Sequence, residues 1–345
     1  MLEQTPPFLD ELVDAVLRTE PSTVPSEAFF GPDKLYVSQI KQDSVDYFGV
    51  HWNHLVDELK HKRRFFSADV QEFFDGLFKD IEKLKTWGED VMSVLPVVRD
   101  MVEGMPVFRA RAISTDQLQA VIKDPYREIG PPPRRKARSG RMSPEGVVAL
   151  YCAMEEKTAL AELRPAIGRL SVVISLKFSR TLRLLDFERL ERSLDDGWGA
   201  LLDPDFDHIA STRQFLRKLH NLISQPVVPG HEADYLITQT MSEYLSHILK
   251  PRLDGIMFKS VQHKGGVNVV LFRDELLGKP EEDFFPVEYI ANSLSFHKNQ
   301  RVDYEHSPLF VVTSGNDVSL FTQDELNDAA DSIASDKWAY ARDAD

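Results

Sequence analysis

The sequence predicts an α+β protein, an all-α N-terminal domain followed by a domain built on a mixed sheet. Three observations carry this reading. Apolar residues recur at helical spacing from Pro32 to about Trp87, with few strand signals. Near Met105 the pattern changes to the two-residue alternation of strands. Beyond that point short strand-length runs are mixed with a few helices, without the regular βαβ alternation of a dinucleotide-binding fold. The expected boundaries are 1–95 for the helical domain, 96–315 for the mixed-sheet domain and 316–345 for a polar, acidic C-terminal segment.

In the first domain Tyr36, Ile40, Val45, Phe48 and Val50 lead into His54-Leu55-Val56 and Leu59. Ser67 is placed to cap a helix running to Ile81, with Val70, Phe73, Phe74, Leu77, Phe78 and Ile81 as its apolar stripe. Val107–Ile113 alternates as a strand, and a basic, proline-bearing loop ends in the turn-rich Gly140–Gly146. Val147–Ala153 has strand length, and Glu155–Arg164 favours a helix stopped by Pro165. Leu170–Leu176 and Leu182–Phe187 read as strands, then Ser211–Ile223 and Glu232–Leu249 as helices. Strands at Gly255–Phe258 and Val267–Phe272 flank Lys259–Gly266, and another covers Pro286–Leu294. The last twenty-odd residues read as a surface helix or a frayed tail.

Composition narrows the function. The net charge of −14 argues against broad nucleic-acid binding, which needs many phosphate-neutralising cations. No apolar run approaches the roughly 20 residues that span a bilayer. The N-terminus lacks a basic segment followed by an apolar stretch, and Cys152 is the single cysteine, so a reducing cytoplasm is the expected location. Between Lys123 and Arg141 the cations Arg127, Arg134, Arg135, Lys136 and Arg138 cluster around Pro131-Pro132-Pro133. That segment is either a solvated surface loop or a place for a small anion. Glycine-rich dinucleotide and P-loop motifs are absent, as are His-Glu-x-x-His and Gly-x-Ser-x-Gly. His51, His54 and His61 lack thiolates or an ordered acid partner, and no metal is expected.

From Arg141 to Glu162 a turn-borne arginine precedes a strand carrying Tyr151, and a helix with Glu162 follows. Glu162 lies among Ala159, Leu160, Ala161 and Leu163, so its carboxylate either faces a cleft or stands exposed on the helix. Spacing leaves both readings open.

These residues resemble the RES domain family. The resemblance rests on Pro131-Pro132-Pro133, Gly140–Gly146, Leu150-Tyr151-Cys152-Ala153 and Thr158–Leu163. Val107-Phe108-Arg109, Tyr235–Gln239, Asp254–Ser260 and Asn268–Phe272 follow the family's order, so it covers roughly Pro106 to Phe272. It implies an ADP-ribosyltransferase-like fold and NAD as substrate, in a family whose studied members are commonly toxins of bacterial toxin–antitoxin pairs. By that resemblance Glu162, Arg141, Tyr151 and Ser260 are catalytic, and Arg109, Arg111, Arg141, Tyr151 and Ser260 bind NAD. Ala110 departs from the family in that some members carry a tyrosine there, and Ser143 in that close relatives more often show asparagine.

The residue types suit this chemistry. Guanidinium forks match a pyrophosphate, and tyrosine can stack on nicotinamide or contact ribose. A carboxylate can stabilise the oxocarbenium-like charge left when nicotinamide departs.

The N-terminal helices resemble the HEPN-like domain preceding RES domains in one subgroup. The Arg-x4–6-His pair of HEPN ribonucleases is absent there, and Arg213…His220 and Arg301…His306 lie outside those helices. The expected activity is NAD glycohydrolase or phosphorylase, with protein mono-ADP-ribosylation or a non-catalytic ligand-sensing protein as alternatives. A cognate antitoxin or inhibitor and a homodimer are the expected partners.

Overall fold

A computed structural model describes residues 54–62, 67–88 except 79, 93–193 except 134, 136 and 138, 206–224, 235–273, 284–300 and 308–321 except 309, 315 and 316. The helical reading of Pro32–Val50 and the resemblance to a HEPN-like domain fall largely outside these residues.

Helix α1 (Ala68–Leu77) follows Ser67 as expected. The Ser67 hydroxyl makes no capping bond and instead donates to Glu58 at 3.4 Å. Strands β1 (Lys85–Trp87) and β2 (Val94–Pro96) form an antiparallel pair that straddles the expected end of the helical domain. Strand β3 (Val98–Met101) comes next, then β4 (Pro106–Ile113).

The basic stretch is not wholly a loop: α2 (Leu118–Lys123) leads into it and α3 (Pro125–Ile129) lies within it. Pro125 fits the first turn of α3, where no amide hydrogen is needed, and the Asp124 carboxylate accepts the Arg127 N–H at 3.1 Å. The chain continues through β5 (Leu150–Ala153), α4 (Glu156–Glu162), β6 (Leu170–Phe178), β7 (Leu182–Asp186) and α5 (Phe187–Ser193). Then come α6 (Phe206–Ser224) and α7 (Leu236–Glu243), the latter extended by a wide turn at Tyr244–Ile248. Strands β8 (Gly255–Lys259), β9 (Val267–Leu271), β10 (Val287–Tyr289) and β11 (Ser295–Lys298) follow. β12 (Phe310–Ser314) and β13 (Asp317–Phe321) form a hairpin across the expected boundary at 315.

The result is an α+β fold on a nine-stranded mixed sheet of order β10-β6-β4-β5-β9-β8-β7-β3, with β11 also against β6. Among the described residues only β7 and β8 pair in parallel. Helices cover both faces, so successive residues of the middle strands are buried on opposite sides. Leu185, Ile256 and Val270 join a core with α1, α5, α6 and α7. Leu184, Met257, Val269 and Leu271 face a second core with Val121 and Ile129 from α2 and α3. The residues of α1 therefore share their core with the sheet. Phe74 packs on Tyr244 with ring centroids 5.5 Å apart, and the Tyr244 hydroxyl donates to Asp75 at 2.7 Å.

One irregularity positions the site. β4 pairs with β6 along its whole length, but meets β5 only at Phe108↔Ala153. The sheet is split there.

Candidate active site

Where β4 and β5 diverge, a cavity of about 370 Å³ opens, within the size range of small-molecule sites. Its walls include Phe108–Ala110, Tyr151–Ala153, Ala159 and Glu162 of α4, Gly140–Met142, Ile223 of α6 and Asn268 of β9.

Ala159 and Glu162 are one helical turn apart, on the cavity side of α4. Glu162 Oε1 accepts hydrogen bonds from Ser260 Oγ at 2.6 Å and Asn268 Nδ2 at 2.7 Å. Ser260 Oγ also accepts the N–H groups of Gln262 and His263, both at 3.1 Å, which leaves its single proton for the carboxylate. Ser260 is not on the cavity lining; it is buried behind Glu162 and fixes it. Glu162 Oε2 has no hydrogen-bond partner among the described residues and is free to meet a ligand.

The loop carrying Ser260 is pressed onto α4. A Cβ on Gly266 would fall 2.2 Å from Thr158 Oγ1, so that approach requires glycine. The Thr158 hydroxyl donates its one proton to Glu155 at 2.6 Å. The 2.8 Å contact with His263 Nδ1 is therefore an N–H donated by the histidine.

Arg141 and Tyr151 are joined by the Gly140–Ser143 turn. Tyr151 Oη accepts the Met142 N–H at 2.9 Å, and a Cβ on Gly140 would stand 2.8 Å from that oxygen. Burial raises the tyrosine's pKa, keeping it a neutral phenol. Arg141 Nη1 donates to Ile223 O at the end of α6. Burial lowers this guanidinium's pKa, opposed chiefly by the Glu162 carboxylate. From α7, Thr238 donates to Arg141 O at 2.6 Å and Gln239 to Gly140 O at 2.7 Å. Arg141, Tyr151, Glu162 and Ser260, picked out by the resemblance, are thus one connected site in space.

Arg109 and Arg111 differ from them. Arg109 lines the cavity, but its Nε donates to Ile129 O and its Nη1 to Tyr151 O, both at 2.7 Å. Its bond to Tyr151 O bridges the split where a ladder bond is missing, and its bond to Ile129 O ties it to the end of α3. Arg111 is exposed, donates to Glu128 O at 2.7 Å and lies off the cavity.

Asn268, in the run Asn268–Phe272, has no role implied by the resemblance. Its signal was available, an amide inside the apolar run Val267–Leu271. His220, part of one chance Arg…His spacing, is buried between Glu191 at 2.9 Å and the Lys259 N–H at 3.3 Å. The other pair, Arg301…His306, lies outside the described residues. Among the described residues no cluster of three or more His, Cys, Asp or Glu side chains could hold a metal. Among them too, no helix is long and apolar enough to cross a membrane.

A split mixed sheet carries a clamped carboxylate, a tyrosine and arginines around one cleft. Residues 106–294, more than half of the chain, match the RES domain model, and the chain belongs to the RES domain family. That membership is consistent with an NAD-related, ADP-ribosyltransferase-like function. No curated protein and no solved structure matches the chain.

Proposed function

We propose that the chain cleaves the nicotinamide–ribose bond of NAD and depletes NAD as a bacterial toxin or defence effector. The observation that carries this reading is the Glu162 carboxylate, with Oε1 held by Ser260 and Asn268 and Oε2 open to the cavity. In the reaction the C–N bond breaks, its electron pair leaves with nicotinamide, and positive charge develops on the ribose. A preorganised carboxylate in a partly enclosed cleft stabilises that charge without reorganising when it appears. Tyr151 supplies an aromatic wall and Arg141 a cation beside it. Ser260 and Asn268 hold the carboxylate rather than touch the breaking bond. Water or phosphate then adds to the ribose. An enzyme of this kind needs a cognate inhibitor in its own host.

The test is product analysis by mass spectrometry after incubating the purified protein with NAD, with and without phosphate. Free ADP-ribose indicates hydrolysis, and its phosphate ester indicates phosphorolysis. Labelled protein bands after incubation with labelled NAD and lysate replace degradation with protein ADP-ribosylation. Unchanged NAD in the presence of folded protein overturns NAD cleavage.

A further inference from the structure

The cleft has a cation without an assigned use. Arg164 follows α4, two residues beyond Glu162, and lines the cavity. Its φ of 44° lies in the left-handed region, which residues other than Gly, Asn and Asp seldom adopt. Its N–H donates to Ala161 O at 3.0 Å, closing the helix. Pro165 follows, and Pro165 O accepts the Asn299 side-chain amide at 2.6 Å. The backbone is therefore fixed on both sides. Glycine would make this turn with less strain, yet the position carries a long cationic side chain.

That side chain is exposed and makes no hydrogen bond or ion pair among the described residues. The other arginines nearby are engaged. Arg109 is bound to two carbonyls, Arg111 to Glu128 O, and Arg141 through Nη1 to Ile223 O. Arg164 is also close enough to Arg141 to oppose that residue's charge. Two guanidinium groups near one carboxylate make the cleft attractive to a ligand that joins a developing cation to an anion. A ribose held at Glu162 leaves its 5′-phosphate in the same cavity that Arg164 lines.

We propose that Arg164 is the diphosphate-binding residue of the cleft, a role that Arg109 and Arg111 are not free to fill. This rests on reading the cleft as an NAD site. The probe is ADP-ribose, titrated calorimetrically into the full chain and its R164A, R164G and R164K variants at low and high salt. R164G keeps the left-handed turn while removing the guanidinium. At low salt R164A and R164G weaken binding about 10- to 100-fold, and R164K recovers part of it. The loss shrinks at high salt, because screening weakens the wild-type contact. Wild-type affinity in both R164A and R164G refutes the role of Arg164 and leaves the NAD site standing. A salt-independent loss in R164A that R164G restores assigns the residue to the turn alone and also refutes the proposal. If the wild type binds neither ADP-ribose nor NAD, the reading of the cleft fails and Arg164's role with it.

Discussion

Glu162 suits the proposed chemistry because its neighbours spend their hydrogen bonds on one oxygen and leave the other open. Glu162→Gln keeps an acceptor for Ser260 and Asn268 but removes the charge. It should lower kcat for NAD cleavage by about 10²- to 10³-fold at unchanged fold, checked by steady-state kinetics with circular dichroism. Ser260→Ala and Asn268→Leu each remove a hydrogen bond to a charged group, about 1.5–3 kcal/mol or about 10- to 150-fold. Glu162→Gln with wild-type kcat would remove the carboxylate from the chemistry. Cys152, beneath Arg109, is a different kind of buried group: burial pushes its thiol up to about 12 from an ordinary value near 9. Its folded pKa is raised, so its contribution to stability is complete below about pH 9. That contribution falls as the unfolded thiol ionises and is lost as pH rises through about 12. Denaturant midpoints measured across that window should decline in the wild type and decline less in Cys152→Ala. Equal slopes would contradict the burial account.

The Gly140–Ser143 turn is an element held from outside itself, by Thr238 and Gln239 of α7 and by the end of α6 through Ile223 O. Gly140→Ala forces a methyl group onto the Tyr151 hydroxyl and should raise KM for NAD more than it lowers the melting temperature. Thr238→Val leaves the Arg141 carbonyl without this donor, at a cost of about 1–3 kcal/mol. Calorimetry and kinetics on the two variants separate these effects, and an unchanged KM in Gly140→Ala would release the turn from the site. The same region shows what periodicity can reveal. β4 to β9 stood out because alternating or continuous apolar runs mark strands, whichever face they bury. The helices α2 and α3 were hidden in a stretch conspicuous for charge, and β3 is four residues of mixed polarity. The clustering of Arg141, Tyr151, Glu162 and Ser260 followed from the family resemblance, since residues 98 positions apart have no local signal of contact. Arg109's attachment to carbonyls and Arg164's backbone angle depend on tertiary geometry that no motif encodes.

Across the molecule helix α1 is rooted in the sheet's own core. Phe74 is buried and touches both Phe78 and Tyr244, with the latter carried by the turn that extends α7. Phe74→Ala should destabilise the whole chain by about 3–5 kcal/mol, read as a single shift in chemical denaturation. A chain beginning at residue 96 should fold poorly for the same reason, and normal stability in that shorter chain would establish two independent domains. The split between β4 and β5 carries a mechanical meaning. The sheet is two leaves, β10, β11, β6 and β4 on one side and β5, β9, β8, β7 and β3 on the other, joined within the sheet by one residue pair and the Arg109 bond to Tyr151 O, and beneath it by a core to which both contribute. Arg109 therefore acts as a staple on the open side of leaves that are otherwise coupled through their shared core. Arg109→Leu should broaden or divide the thermal transition before it abolishes folding, a loss of cooperativity visible by calorimetry. Ligand bound across the gap should restore a single sharp transition, because it would couple the leaves from the open side.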